Sequence, residues 1–367
     1  RWIDVITDLI FYVVAIFFVI GGLDFMMGNR MGLGECFERG IKSIGVLTLN
    51  MLGIFLLAPV FSDVLSRVLT PIATLFQMDP SILIGTFLAC DMGGYQLSME
   101  LANSTLMGEF SGMVIASGLG ATISFSIPVA FGMIPKKDIP IFLKGMVLGM
   151  IAIPFGCFVG GIIAGIEGLI LFRHMIPLFV GVIILSTLIL VRPLSLIKFF
   201  NLLSRVVVWM SLIGLMIAGA QAVSGVEFVK GMASLAEGAQ IVVRIGIFIA
   251  GAYSLLEIIY RFFNSQLAMI GRWIGVNDVS ISAMIGNLVS NLLAFSRFHE
   301  MDELGKLICS ALCISGAFVF GGQLAFVNSM TPHISTAFIV SKFVGGFLSL
   351  ILALLYWQFI KNRQMES

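Results

Sequence analysis

The run IPIFLKGMVLGMIAIPFGCFVGGIIAGI, residues 139–166, decides the class of fold, because it is long and holds a single charged side chain, Lys144. A helix of about 20 apolar residues crosses the roughly 30 Å hydrocarbon layer of a bilayer, so this run predicts a membrane-spanning helix. A transmembrane β-barrel would show short alternating segments instead. The expected fold is therefore an all-α polytopic integral membrane protein.

The composition of the whole chain agrees with a lipid environment. Hydrophobic residues make up 59% of the 367 residues and charged residues 11%, against about 25% charged in a typical soluble domain. The net charge of +1 argues against a nucleic-acid partner, which requires a concentrated basic face. The five cysteines and three histidines show no metal-ligand spacing and no catalytic motif, so we expect no cofactor, no metal and no enzymatic activity.

Nine apolar stretches are long enough to span the bilayer. They cover 3–27, 39–62, 108–134, 139–166, 168–192, 196–223, 238–262, 303–328 and 333–361. Two shorter stretches, 81–104 and 279–297, are interrupted by Gly, Asn, Ser or Asp. Two half-helices of about nine residues reach the bilayer midplane and return, so each short stretch predicts a re-entrant hairpin.

The basic residues predict the orientation of the chain. With both hairpins re-entrant, thirteen Lys and Arg fall on the side of the C-terminus and four on the side of the N-terminus. Because short cytoplasmic loops carry an excess of Lys and Arg, the C-terminus is expected in the cytoplasm and the N-terminus outside. The membrane is expected to be the bacterial inner membrane.

The single transmembrane domain, residues 1–367, also shows an internal duplication. Residues 78–81 (MDPS) resemble 277–280 (NDVS), and 124–131 (SFSIPVAF) resemble 319–326 (VFGGQLAF). The first repeat covers 39–166, connecting helices cover 167–237, and the second repeat covers 238–361. An odd number of crossings separates the two units, which predicts the inverted repeats typical of secondary transporters.

The strongest local signal is residues 88–96, LACDMGGYQ, where a carboxylate and two glycines interrupt an apolar segment. A carboxylate within the membrane costs at least about 2.5 kcal/mol and usually faces a cavity or a partner. Gly93 and Gly94 would let the helix unwind there, which favours Asp91 as a binding residue. The alternative is that Asp91 caps a half-helix and the glycines mark a packing contact.

The corresponding tip of the second hairpin holds neutral polar residues. This asymmetry favours a small solute with one cationic and one hydroxyl end, with Tyr95 as a possible cation–π partner. The alternative role of the Asn and Ser side chains is hydrogen bonding between helices. The candidate solute-binding residues are Asp91, Gly93, Gly94, Tyr95, Gln96, Ser126, Asn287, Ser290, Asn291 and Gln323.

The run LACDMGGYQLSMELA, residues 88–102, resembles the bacterial ethanolamine permease family EutH. Further matches lie at 125–130 (FSIPVA), at 153–157 (IPFGC) and at Lys342, and the resemblance extends along nearly the whole chain. It implies uptake of ethanolamine, a protonated amine that carries a hydroxyl. The chain departs from the family pattern at Gly322 and Gln323, where the family carries an acidic residue and a histidine.

Two other functions remain open from the sequence. The protein could form a channel-like pore for another small amine or a neutral polar solute, or serve as a non-transporting scaffold or sensor in the membrane. A homo-oligomer is also possible. The source of energy is not legible in the sequence.

Overall fold

The structure is a computed structural model that describes residues 2–366, so Arg1 and the side chain of Arg363, both used in the charge count, lie outside the described part. That part is built from helices. The α-helices are α1 (Trp2–Met26), α2 (Leu33–Leu47), α3 (Gly53–Leu75), α4 (Pro80–Phe87), α5 (Tyr95–Leu101), α6 (Thr105–Glu109), α7 (Ile127–Met133), α8 (Ile139–Ile163), α9 (Gly168–Val191), α10 (Pro193–Ser224), α11 (Leu235–Ile274), α12 (Asp278–Asn287), α13 (Asn291–Ser296), α14 (Glu303–Ser315), α15 (Gly322–Met330) and α16 (Ser335–Glu366).

Within residues 2–366, eight helical stretches are long and apolar enough to cross a membrane, which makes this a multi-pass membrane protein. Each coincides with one of the predicted spans. The stretches are Asp8–Met26, Leu33–Leu75, Thr105–Met133, Lys136–Ile163, Gly168–Val191, Pro193–Ser224, Leu235–Phe263 and Pro332–Asn362.

The ninth predicted span, 303–328, is wrong as a continuous helix. It is divided into α14 and α15 by residues 316–321, and Phe318 within this break has a positive φ of 63°. The backbone N–H of Phe318 donates to the carbonyl of Asn287 at 2.9 Å, and that of Phe320 donates to Leu288 at 2.7 Å. The backbone groups thus find partners in a distant segment, which hydropathy along the chain does not reveal.

The first short stretch, which we call the first hairpin (residues 80–101), consists of α4 and α5 around a tip at 88–94. Leu88 and Ala89 are extended there, and Met92 and Gly93 have non-helical dihedral angles. The Asp79 carboxylate caps α4 by accepting from the N–H of Ser81 at 3.0 Å. The same carboxylate accepts from the N–H of Asn103 at 3.0 Å, so the two ends of the segment meet. This double use of Asp79 holds the two short helices side by side.

The second short stretch, the second hairpin (residues 278–296), repeats this arrangement with α12 and α13 around a tip at 288–290. The side chain of Asn277 caps α12 by accepting from the N–H of Ser280 at 2.9 Å. Its amide also donates to the carbonyl of Glu300 at 3.0 Å, beyond the end of α13. A polar side chain at the entrance therefore ties together the ends of both hairpins.

The span Thr105–Met133 braces the first hairpin and is not a regular α-helix. It has wide, π-helical turns at Phe110–Gly120 and Thr122–Ser126, upstream of Pro128. A Cβ on Gly120 would lie 2.0 Å from the carbonyl oxygen of Leu88, so the tip and the span meet backbone to backbone. The small residue and the wide turns make this close approach possible.

One ion pair and one histidine–carboxylate contact connect the two halves of the chain. Lys306, at the start of the helix that follows the second hairpin, lies 2.9 Å from Asp138 in the first half. Glu109, at the start of the span that follows the first hairpin, lies 2.9 Å from His333 in the second half. In each contact one residue lies shortly after a hairpin and the other lies in a turn between two helices.

Candidate functional site

A cavity of about 170 Å³ lies between the two tips. It is bordered by the region where α2 meets α3, by α11, by the span Thr105–Met133 and by the break between α14 and α15. The lining residues are Ser43, Val46, Leu47, Asn50, Met51, Ala89, Asp91, Met92, Ala121, Phe125, Ile249, Tyr253, Val289, Ser290, Leu292, Phe318, Gly322 and Gln323.

Asp91 supplies the charge of this cavity. Of the described residues that line the cavity, Asp91 is the one with a carboxylate, and none of them is a Lys, Arg or His. Its side chain is half-buried, and the described part of the chain places no basic side chain in salt-bridge contact with it. The cavity therefore has a carboxylate without a basic partner among the described residues, in a largely apolar wall.

The glycines of the first tip shape the cavity without lining it. Gly93 has a φ of 88°, which an L side chain rarely adopts. A Cβ on Gly94 would lie 2.5 Å from the carbonyl oxygen of Ala89, which accepts from the N–H of Gly94 at 2.9 Å. Both glycines are needed for the sharp turn that carries Asp91.

Tyr95 and Gln96 also lie outside the cavity lining. Tyr95 is buried and meets Phe326 edge to face, with the ring centroids 6.1 Å apart. The Gln96 amide nitrogen is buried without a hydrogen-bond partner. The aromatic side chains that face the cavity are instead Phe125, Phe318 and Tyr253.

Three further predicted residues form a hydrogen-bonded brace behind the second tip. Asn291 donates through Nδ2 to the hydroxyl of Ser126 and to the carbonyl of Cys313, both at 2.9 Å. Asn287 accepts from the thiol of Cys313 at 3.1 Å. These side chains make contacts between helices, and from the second tip Val289 and Ser290 line the cavity, Ser290 with a polar side chain.

Gln323 lines the cavity and has unused hydrogen-bonding capacity. Its side chain is 4% exposed, and its Oε1 has no partner. A buried acceptor left without a donor costs about 1–3 kcal/mol, so such a group is normally satisfied by water or a ligand. A solute that carries N–H or O–H donors would satisfy it.

Sequence reasoning missed three polar residues of the lining, Ser43, Asn50 and Tyr253. They belong to predicted spans that lie outside both hairpins. A polar side chain within an apolar stretch is the signal that points to such positions. Tyr253 is further fixed by the guanidinium of Arg39, which lies 4.7 Å from the centre of its ring.

A buried lysine stands behind the first tip. Lys342, in α16, is 3% exposed and donates to the backbone carbonyl of Ser117 at 2.5 Å. Its ammonium also lies 5.8 Å from the centre of the Phe338 ring.

The cavity is well below the about 300 Å³ at which pockets for drug-sized ligands begin, so it suits a solute of a few heavy atoms. One carboxylate, several neutral donors and acceptors and three aromatic rings can hold a small cation that carries a polar group. Fold and cavity together define a polytopic α-helical membrane protein with a small cavity that holds a carboxylate.

Comparison with known proteins identifies the family. The family described as "Ethanolamine utilisation protein, EutH" matches residues 6–356, and the chain belongs to it. No solved structure matches the chain.

The curated relatives extend over nearly the whole chain. A Listeria monocytogenes protein named "Probable ethanolamine permease EutH" is 36% identical over 362 residues, covering 99% of this chain and 96% of the relative. A Salmonella typhimurium protein of the same name is 29% identical and covers 95% of both chains. The Bacillus subtilis protein YxeR is 34% identical and covers 93% of this chain and 92% of its own.

Proposed function

We propose that this protein carries ethanolamine across the bacterial inner membrane, with the cavity between the tips as the binding site. The observation that carries the proposal is the isolated carboxylate of Asp91 in a cavity of about 170 Å³. The ethanolamine permease names of the Listeria and Salmonella relatives support the same solute. An alkylamine has a pKa near about 10, so ethanolamine is a cation at neutral pH and matches this charge.

The two ends of the solute bind different walls. The ammonium lies at the Asp91 carboxylate, with the unpaired Oε1 of Gln323 as a second acceptor. The hydroxyl lies toward Ser290 and Asn50, which offer neutral donors and acceptors. The complex of Asp91 with the cation is neutral, which lowers the cost of holding a charge inside the membrane.

The two hairpins form this site from opposite sides of the membrane. Each is a pair of short helices whose ends meet and whose tip borders the cavity. The proposal places the hairpins as re-entrant segments of two inverted repeats, with the cavity near the midplane and the C-terminus in the cytoplasm. Alternating access then requires the tips to separate toward one side at a time.

The membrane potential is a sufficient driving force. A negative-inside potential contributes about 2.3 kcal/mol per elementary charge for each 100 mV, which favours entry of a cation without a coupling ion. Uptake is therefore expected to increase with an inside-negative potential.

The deciding experiment measures uptake of labelled ethanolamine into proteoliposomes under a potassium diffusion potential. Asp91→Asn keeps the size of the side chain and removes its charge, so saturable uptake should fall at least about tenfold. Glu100→Gln is the matched control, because Glu100 is an exposed carboxylate of the same hairpin. Unchanged uptake by Asp91→Asn would overturn the assigned role of Asp91.

Unlabelled ethanolamine on the far side distinguishes a carrier from a pore. A carrier shows counterflow, because the loaded site returns faster than the empty one. Weak saturation without counterflow would establish the channel-like alternative, and ligand binding without flux would establish a scaffold or sensor.

A further inference from the structure

A groove of about 540 Å³ shares no lining residue with the cavity between the tips. It is formed where α8, α14 and α16 pack against one another, at the first turns of α8 and α14 and the last turns of α16. Its polar lining includes Lys137, Lys144 and Lys361, and its aromatic lining is Tyr356 and Trp357.

The three lysines leave the groove with an excess of positive charge. Each is exposed, and none has an acidic partner within the described residues. The two acidic residues of the lining, Asp138 and Glu303, are both engaged by Lys306, which lies 2.9 Å from each. Lys306 offsets one of these two carboxylate charges, so the three lysines still exceed the acidic charge that remains.

The groove continues into an apolar surface that faces lipid. On α16, Leu355 is 57% exposed and Ile351 is 37% exposed, and they lie about two and about three turns before Lys361. Trp and Tyr side chains such as Trp357 and Tyr356 are typical of the level at which lipid headgroups meet the hydrocarbon layer. Lys144 lies about 7.5 Å along α8 from its first residue, Ile139, at a rise of about 1.5 Å per residue. From that depth the long side chain of a lysine can extend its ammonium back to the level of the headgroups.

We propose that this groove binds the phosphate headgroup of an anionic phospholipid, with the lipid's acyl chains along the exposed apolar face of α16. Lys137, Lys144 and Lys361 hold the phosphate oxygens, and Tyr356 and Trp357 hold the glycerol region. The basic rim beside the exposed Leu355 favours a lipid over a soluble anion, because only a lipid has acyl chains that can contact the apolar face. This site is independent of the solute proposed for the cavity.

The test is native mass spectrometry of the full-length protein, released from detergent after incubation with cardiolipin, phosphatidylglycerol or phosphatidylethanolamine. The wild type should retain the two anionic lipids at least about tenfold more than phosphatidylethanolamine. The triple variant Lys137→Gln, Lys144→Gln, Lys361→Gln should lose that preference. The charge-preserving triple variant with Arg at the same positions should keep it, which separates loss of charge from loss of folding.

The matched control removes three other exposed lysines of the same predicted side, Lys42, Lys136 and Lys198, which do not line the groove. Replacing them with Gln should leave anionic lipid retention unchanged. Equal loss of retention in the two triple Gln variants would overturn the proposal, since it would indicate attraction by net charge alone. Displacement of cardiolipin by millimolar inorganic phosphate would also overturn it, in favour of a soluble anion.

Discussion

Asn291 at the second tip donates through Nδ2 to the hydroxyl of Ser126 at 2.9 Å, in the span that braces the first tip. The same nitrogen donates to the carbonyl of Cys313 at 2.9 Å. One buried amide therefore joins both halves of the chain beside the cavity. Its role is to fix the relative position of the tips, since neither Asn291 nor Ser126 lines the cavity.

Replacing Asn291 with Ala should destabilise the protein without removing a solute contact. Two buried acceptors lose their donor, which predicts a loss of about 1–2 kcal/mol in the free energy of unfolding. Thermal unfolding in detergent measures this loss. Asn50→Ala serves as the contrast, because Asn50 lines the cavity, and should weaken ethanolamine binding with little change in stability.

Gln323→Met should weaken solute binding at unchanged stability. The substitution keeps the length of the side chain and removes the acceptor Oε1, which has no partner among the described residues. Losing one hydrogen bond of about 1.4 kcal/mol to a cation raises the half-saturation concentration for ethanolamine uptake about tenfold. Gln96→Met, in the first hairpin but outside the lining, should leave this concentration unchanged, and an equal rise in both variants would contradict a contact at Gln323.

Gly93→Ala should distort the first tip. An alanine pays about 1–2 kcal/mol for the left-handed conformation at φ 88°, and its Cβ would lie 2.8 Å from Cδ1 of Ile54. Lower thermal stability and a large loss of uptake are expected. Gly132→Ala is the control, because a Cβ there meets nothing within 4 Å on a helix. Adding Ile54→Ala to Gly93→Ala should relieve the contact but not the backbone strain.

Lys306→Met should be among the most destabilising changes at the ends of the helices. Lys306 and Asp138 have side chains 8% and 6% exposed, so removing the ammonium leaves a buried carboxylate unpaired, at a cost of about 3–5 kcal/mol. Asp138→Asn in the same chain should recover part of this loss. Arg297→Gln breaks an exposed pair, with side chains 50% and 39% exposed, and should change unfolding by less than about 1 kcal/mol.

The sequence predicted most of the spans because hydropathy is a local property. Eight of the predicted stretches coincide with membrane-length helices of the described chain. The polar interruptions at 88–94 and 288–290 likewise coincide with the tips of the two hairpins, since glycines and polar side chains are where a helix in an apolar segment is easiest to break. The break at 316–321 escaped prediction because its backbone partners, Asn287 and Leu288, lie in another segment.

The candidate residues fall into two groups, those that line the cavity and those whose polar side chains bond between helices. Their polar character within apolar segments made Asp91, Ser290 and Gln323 visible in the sequence, and all three line the cavity. The same character singled out Asn287 and Asn291, but their amides are used between helices. Sequence shows that a polar group must be satisfied, and it does not show whether the partner is a solute or a neighbouring helix.

The sequence by itself determined that this is a polytopic helical membrane protein. It also located the interruptions at 88–94 and 288–290 and singled out Asp91 as a carboxylate within an apolar segment. Each of these conclusions follows from the free-energy cost of placing polar residues in hydrocarbon. Only the tertiary structure decided which residues surround the cavity. Asn50 and Tyr253 line the cavity from helices that are distant in the chain. Tyr95 lies outside the cavity and packs against Phe326. These positions depend on how the helices pack and on the direction of each side chain. Both are determined by contacts between residues that are far apart in the chain.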